Sequence, residues 1–111
     1  MKYGGGLLPS SVMASKRLEF LEHAAREYEA AIDWYFERSP IAAQKFAAEV
    51  NRALDNIEQS PQRWPTHLLG TRRFFLRHFP FTVIYREQSS NIQIIAVAHG
   101  HRRPGYWKSR L

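Results

Sequence analysis

At "SPQRWP", residues 60–65, the hydrophobic rhythm of the chain changes period, and that change limits the folds open to it. Upstream, Ala24, Tyr28, Ala31, Ile32 and Tyr35 recur at i, i+4, i+7, i+8 and i+11, the stripe of an amphipathic helix with Arg26, Glu29 and Asp33 turned elsewhere. "RSPIAA" restarts the pattern, with Ser39 as a cap and Pro40 in the first turn, where its missing N–H costs nothing. Ala43, Phe46, Ala47, Val50, Leu54 and Ile57 then carry a second stripe to the two prolines that stop it. Two alanine-rich stripes joined this closely predict an antiparallel helical hairpin. Glu22, Glu27 and Glu29 read as ordinary helix-surface charges.

Downstream, "RRFFLRHF", "FTVIYRE" and "NIQIIAVAH" are short runs rich in Phe, Val, Ile and Tyr, parted by Pro80 and by "QSSN". They predict three consecutive antiparallel strands. In the last, Ile92, Ile94, Ala96 and Ala98 fall on one face and Ile95 and Val97 on the other, so the strand is expected at the sheet's centre. "KRLEFLE" alternates around Leu18 and Phe20 and predicts a short strand added at an edge. The expected fold is α+β, ordered β-α-α-β-β-β, with the hairpin packed on one face of the sheet.

The chain of 111 residues suits one domain. "MKYGGGLLPSSV" lacks the apolar core of a secretory signal, so residues 1–14 are expected to form a tail, with Met13 as an alternative start, and residues 15–111 the domain. No apolar run approaches the roughly 20 residues a bilayer span needs, and no membrane partner is expected. Zero cysteines exclude disulfides and cysteine-ligated metal and fit a cytoplasmic protein.

The charge is unevenly placed. Residues 1–71 carry 8 Lys+Arg against 9 Asp+Glu, whereas residues 72–111 carry 8 against Glu87 alone. The strand-rich half is therefore a basic module, and it closes on "HGHRRPGYWKSR". Arg73 and Arg77, at i and i+4, are expected on one face of the first of its strands, with Arg86 at the end of the next. His99, His101, Arg102 and Arg103 follow the last strand, and Tyr106, Trp107, Lys108 and Arg110 follow a Pro-Gly turn.

Guanidinium groups present paired donors to phosphate oxygens and stay charged at any working pH, so such a cluster can bind a phosphodiester backbone. It can also cut RNA without metal, given a histidine or tyrosine to move protons and an arginine to hold the developing charge. Each residue has a plainer use. Arg73 and Arg86 suit solvated strand ends, His78 suits a turn, and Tyr106 and Trp107 suit either a staple on the sheet or stacking on a base. His99 and His101 alone do not make a metal site, and no metal or other cofactor is expected. No Gly-rich phosphate loop, HExxH motif or Ser-His-Asp set is present.

The order of elements, the hairpin "YEAAIDWYFERSPIAAQKFAAEVNRALDNIEQSPQRWP", and the stretches "FLRHFPFTVIYRE" and "IIAVAHGHRRPGYW" together resemble the RelE/ParE superfamily of bacterial toxins, also described as plasmid stabilisation proteins. The resemblance covers residues 16–107. It implies the toxin of a type II toxin–antitoxin module, held by a cognate antitoxin in a hetero-oligomer, with growth arrest through one of two targets. Toxins like RelE cut messenger RNA on the ribosome; toxins like ParE poison DNA gyrase.

By position, Arg77 matches an arginine that RelE-like nucleases use on phosphate, Arg102 or Arg103 their transition-state arginine, and Tyr106 their C-terminal tyrosine. A nuclease would thus rest on Arg77, His99, Arg102, Arg103 and Tyr106, with Arg73, Arg86, His101, Trp107, Lys108 and Arg110 contacting RNA or a partner. The lysines that RelE-like enzymes carry before the second strand have no clear counterpart here, and the long hairpin is closer to ParE. A nontoxic module gripping nucleic acid or an acidic protein through the same patch is the alternative.

Overall fold

Ser39 ends one helix and starts the next. Its N–H donates to the Tyr35 carbonyl at 2.7 Å, and its hydroxyl accepts from the Ala42 N–H at 3.2 Å. The helices it joins are α1 (Glu22–Arg38) and α2 (Pro40–Gln59), with Pro40 in the first turn of α2 as expected. The structure, a computed structural model, describes residues 16–111; the expected tail over residues 1–14 and the start at Met13 lie outside the described residues. Small residues let the helices approach, with Ala24, Ala31, Ala43 and Ala53 all buried. Phe46, fully buried, stacks with Tyr35 at 5.2 Å and Phe81 at 5.1 Å between ring centroids and so ties the hairpin to the sheet.

The sheet comprises β1 (Arg17–Phe20), β2 (Arg72–Phe75), β3 (Phe81–Glu87) and β4 (Asn91–His99), ordered β1-β4-β3-β2. β4 is central, antiparallel to β3 and parallel to β1, which joins the sheet edge as expected and leads across through the helices. Two expectations need correction. β2 stops at Phe75, because Leu76 turns into the core and residues 77–80 form a bend, so Arg73 and Arg77 do not share a strand face. The alternation along β4 also breaks: Ile84 pairs with Ala96 but Tyr85 with Ile94, which leaves Ile95 as the extra residue of a bulge. Ile92, Ile94 and Val97 therefore face the helices, while Ile95 and Ala96 face the other side.

Both faces are covered. On the side away from the helices, Trp107 from the C-terminal segment packs on Ile84, Ile95 and Ala96 with only 2% of its surface exposed. No helix among the described residues is long and apolar enough to cross a membrane.

Two helix carboxylates complete the backbone where the sheet runs out. β1 ends at Phe20, opposite Ile94, so the outer edge of β4 is open beyond that point. Glu27 fills the gap from α1 by accepting from the Val97 N–H at 3.0 Å, while the Arg110 guanidinium donates to the Ile95 carbonyl at 3.0 Å. Glu49, buried on α2, accepts from the N–H groups of Arg77 and His78 and meets the His78 ring nitrogen at 2.9 Å, closing the bend after β2. Glu27 is thus no surface charge, contrary to its expected place. Burial pushes both carboxyls upward, but their hydrogen bonds outweigh it and hold them below the ordinary glutamate value.

Removing the Glu49 carboxylate strands two backbone donors, so Glu49→Ala is expected to cost about 2–3 kcal/mol, and His78→Ala, at a largely exposed ring, less than ~1 kcal/mol. Chemical denaturation at neutral pH measures both. A folded-state pKa below the unfolded one gives stability that is complete above pH 4.5 and lost as pH falls through the folded value. Glu27→Gln is accordingly expected to cost about 3 kcal/mol at pH 7 and to flatten the acid limb of the thermal-midpoint profile.

Candidate basic groove

The C-terminal segment is positioned from Gly105 onward. This residue is buried with φ +75°, a backbone conformation that side-chain-bearing residues rarely adopt, so the turn favours glycine. The turn sends Trp107 into the second core and Tyr106 toward α1. The Tyr106 hydroxyl donates to Glu27 at 2.6 Å, and Arg110 grips the same carboxylate through two nitrogens at 3.0 and 2.9 Å. Arg102, half exposed, lies 3.7 Å over the Tyr106 ring and 3.8 Å from Glu27. One carboxylate on α1 thus holds three residues of the C-terminal stretch.

Two grooves meet at this point. One, of about 430 Å³, runs along the helix side and is lined by Ala30, Trp34, Tyr35 and Phe81, with Glu27, His99 and Arg102 among its polar groups. The other, of about 220 Å³, lies on the opposite face of the sheet. Thr82 and Ile84 of β3 contribute to its floor, Arg73 and Phe75 come from β2, and His67, His99, Arg102 and Arg103 supply further nitrogen. No carboxylate lines this second groove, and His99 and Arg102 line both.

The proton chemistry of these groups is constrained. Burial, then the bond to Glu27, raises the Tyr106 hydroxyl far above its ordinary value, so its proton is firmly held. His99 Nδ1 accepts from the His101 N–H at 3.0 Å, so the neutral ring carries its proton on Nε2 and offers a donor there. His67 is lowered by burial and then by Arg73, which leaves a neutral ring at pH 7. Among the described residues, no group of three His, Asp or Glu is placed to hold a metal ion.

The expected site residues fall into three sets. Arg73, His99, Arg102, Arg103, Tyr106 and Trp107 line the basic groove, and His101 stands beside it with its ring 4.8 Å from that of His99. Arg77 and Arg86 are not among the lining residues: Arg77 sits in the bend held by α2, and Arg86, two residues beyond Ile84 on β3, is bonded to Gln93 at 2.9 Å. Trp107 and Arg110 are committed to the fold, and Lys108 is exposed beside Gly105. Of the two uses weighed for Trp107, the buried ring gives the staple.

Sequence reasoning missed Glu27, His67 and Phe75. Glu27 had a signal, since it lies three residues after Ala24 and four before Ala31, on the inward stripe. A carboxylate there needs buried donors.

Comparison with known proteins agrees with this architecture. A curated Sinorhizobium fredii (strain NBRC 101917 / NGR234) protein described as "Putative toxin Y4kP" is 29% identical over 93 residues, covering 82% of this chain and 95% of that protein. A solved chain from the chromosomal ParDE TA system of P. aeruginosa has the same fold, with a TM-score of 0.68 at 22% identity over 77% of this chain and 96% of that one. The model of the family described as the ParE toxin of the type II toxin–antitoxin system parDE matches residues 18–104. With that match spanning the hairpin, the sheet and the start of the basic stretch, the chain belongs to the ParE toxin family of type II toxin–antitoxin systems.

Proposed function

We propose that this protein arrests bacterial growth by binding DNA gyrase, not by cutting messenger RNA, and that a cognate antitoxin neutralises it. Family membership supports the toxin role, and the state of Tyr106 carries the choice of target. A nuclease of this fold needs groups that exchange protons near neutral pH. Tyr106 instead gives its hydroxyl to Glu27, with its pKa raised well beyond the useful range. His99 Nδ1 is already taken up by the His101 N–H, and Arg77 lies outside the groove. Binding makes no such demand, since exposed guanidinium groups act as fixed donors.

The antitoxin is assigned to the helix-side groove. Trp34 lines it with 52% of its surface exposed, and Tyr35 and Phe81 add apolar wall. His99 and Arg102 supply the counter-charge for an acidic segment whose apolar side chains fill the trough.

Induction in bacteria tests the first assignment. Linearised plasmid, an SOS response and intact transcripts are expected, and transcripts cut with intact plasmid overturn it. Tyr106→Phe removes one hydrogen bond and should leave toxicity within about threefold, whereas a nuclease using that hydroxyl would lose roughly 10²–10⁴ in rate. For the second assignment, Trp34→Ala should stay toxic but bind the co-expressed antitoxin at least about 30-fold more weakly, as a buried tryptophan anchor would. Isothermal titration of the purified pair measures the loss.

A further inference from the structure

The basic groove on the second face of the sheet has features that neither toxicity nor antitoxin binding accounts for. Arg73, on the edge strand β2, lines it, and its Nε is buried without a hydrogen-bond partner. Arg102 and Arg103 come from the loop after β4. β2 and β4 flank β3, so the two walls stand about 9–10 Å apart at the backbone, with Thr82 and Ile84 between them. That span brings cations to a ligand from both sides.

The rim holds the second feature. Phe75, 55% exposed, is a large apolar side chain on an edge strand, and the Arg73 guanidinium lies 5.0 Å from its ring centroid. A solvated aromatic face beside paired guanidinium groups is the arrangement that single-stranded nucleic acid uses, with the phosphate on the cations and the base on the ring. The coplanar oxygens of a carboxylate match the fork of one arginine, whereas the two free oxygens of a phosphodiester diverge tetrahedrally and can each face a guanidinium on a different side.

We infer that this groove binds single-stranded nucleic acid, with a phosphodiester held between Arg73 and the Arg102–Arg103 pair and the adjoining base stacked on Phe75. The inference goes beyond the growth-arrest proposal and does not rest on it: a toxin without this site and a strand-binding chain without toxicity are separate outcomes of separate experiments. Phe75 takes the stacking role expected of Trp107, whose ring is enclosed in the core.

The test is fluorescence anisotropy of fluorescein-labelled deoxythymidine and uridine hexamers titrated with the purified full chain at graded salt. A log–log salt slope of about −0.7 or steeper is expected, the value for one neutralised phosphate of a single strand. Phe75→Ala should weaken binding about fivefold or more through lost stacking. Arg103→Gln, at an exposed position that leaves the core intact, should weaken it several-fold and reduce the slope, as should Arg73→Gln where thermal melting shows that variant folded. Lys45→Gln removes the same charge from the exposed face of α2 and should change affinity less than twofold. Equal losses for Lys45→Gln and Arg103→Gln, no loss for Phe75→Ala, or competition by hexaglutamate as strong as by unlabelled hexamer would each overturn the inference. Preference for one of the two hexamers would identify the sugar the groove accepts.

Discussion

The carboxylate of Glu27 joins parts of the molecule that share no strand or helix. β1 pairs with β4 for four residues and then leaves, so the central strand would otherwise run on with an open edge. A fifth strand is the usual remedy; here a glutamate and an arginine replace it, one receiving the Val97 N–H and the other reaching the Ile95 carbonyl. Each charge satisfies a backbone group and then its partner, so the ion pair has little unmet hydrogen-bonding capacity. Burying a carboxylate costs several kcal/mol when it is unpaired, and four donors to Glu27 reverse that sign. The same bonds fix the C-terminal segment, and with it the height at which Arg102 stands above the Tyr106 ring.

The bulge at Ile95 makes the second face possible. A regular β4 would send Val97 away from the helices and leave the helix-side core short of it. With one extra residue, Ile94 and Val97 both face the hairpin while Ile95 and Ala96 form a small apolar floor on the other side. Trp107 covers that floor. Because the ring is buried there, the cationic residues on either side of it are held against a rigid sheet, and the basic groove forms between the C-terminal segment and β2.

The helical hairpin, the order of strands and the central place of β4 were legible because hydrophobic period and turn residues are local signals. β3 and β4 begin and end where the apolar runs do. The face of each β4 residue was not legible beyond Ile94, since a bulge depends on how two strands meet and leaves no mark in either alone. Arg77 failed for a related reason: "RRFFLRHF" looks continuous, but Glu49 offers the bend two backbone bonds that the strand cannot match. Glu27 and Glu49 both occupy inward positions on their helices, so an acid on an apolar stripe was the available sign. Its partners were beyond reach, since Val97 and Arg110 lie 70 and 83 residues away.

The two grooves are not independent surfaces. His99 and Arg102 belong to the walls of both, and each groove contributes its own remainder: Trp34, Tyr35 and Phe81 on the apolar side, Arg73, Phe75 and Arg103 on the basic side. A ligand that engages Arg102 from the helix side takes part of its charge from the basic groove, and the converse holds by the reciprocity of linked binding. No change of backbone is needed for that coupling, because Arg102, lying over Tyr106 while Glu27 holds the tyrosine beneath it, already lines both grooves. The strength of the link is set by how much of each ligand's binding passes through these two side chains. An acidic segment filling the apolar groove could therefore weaken whatever the basic face holds without covering it, and only contacts made wholly by Arg73, Phe75 and Arg103 would be spared.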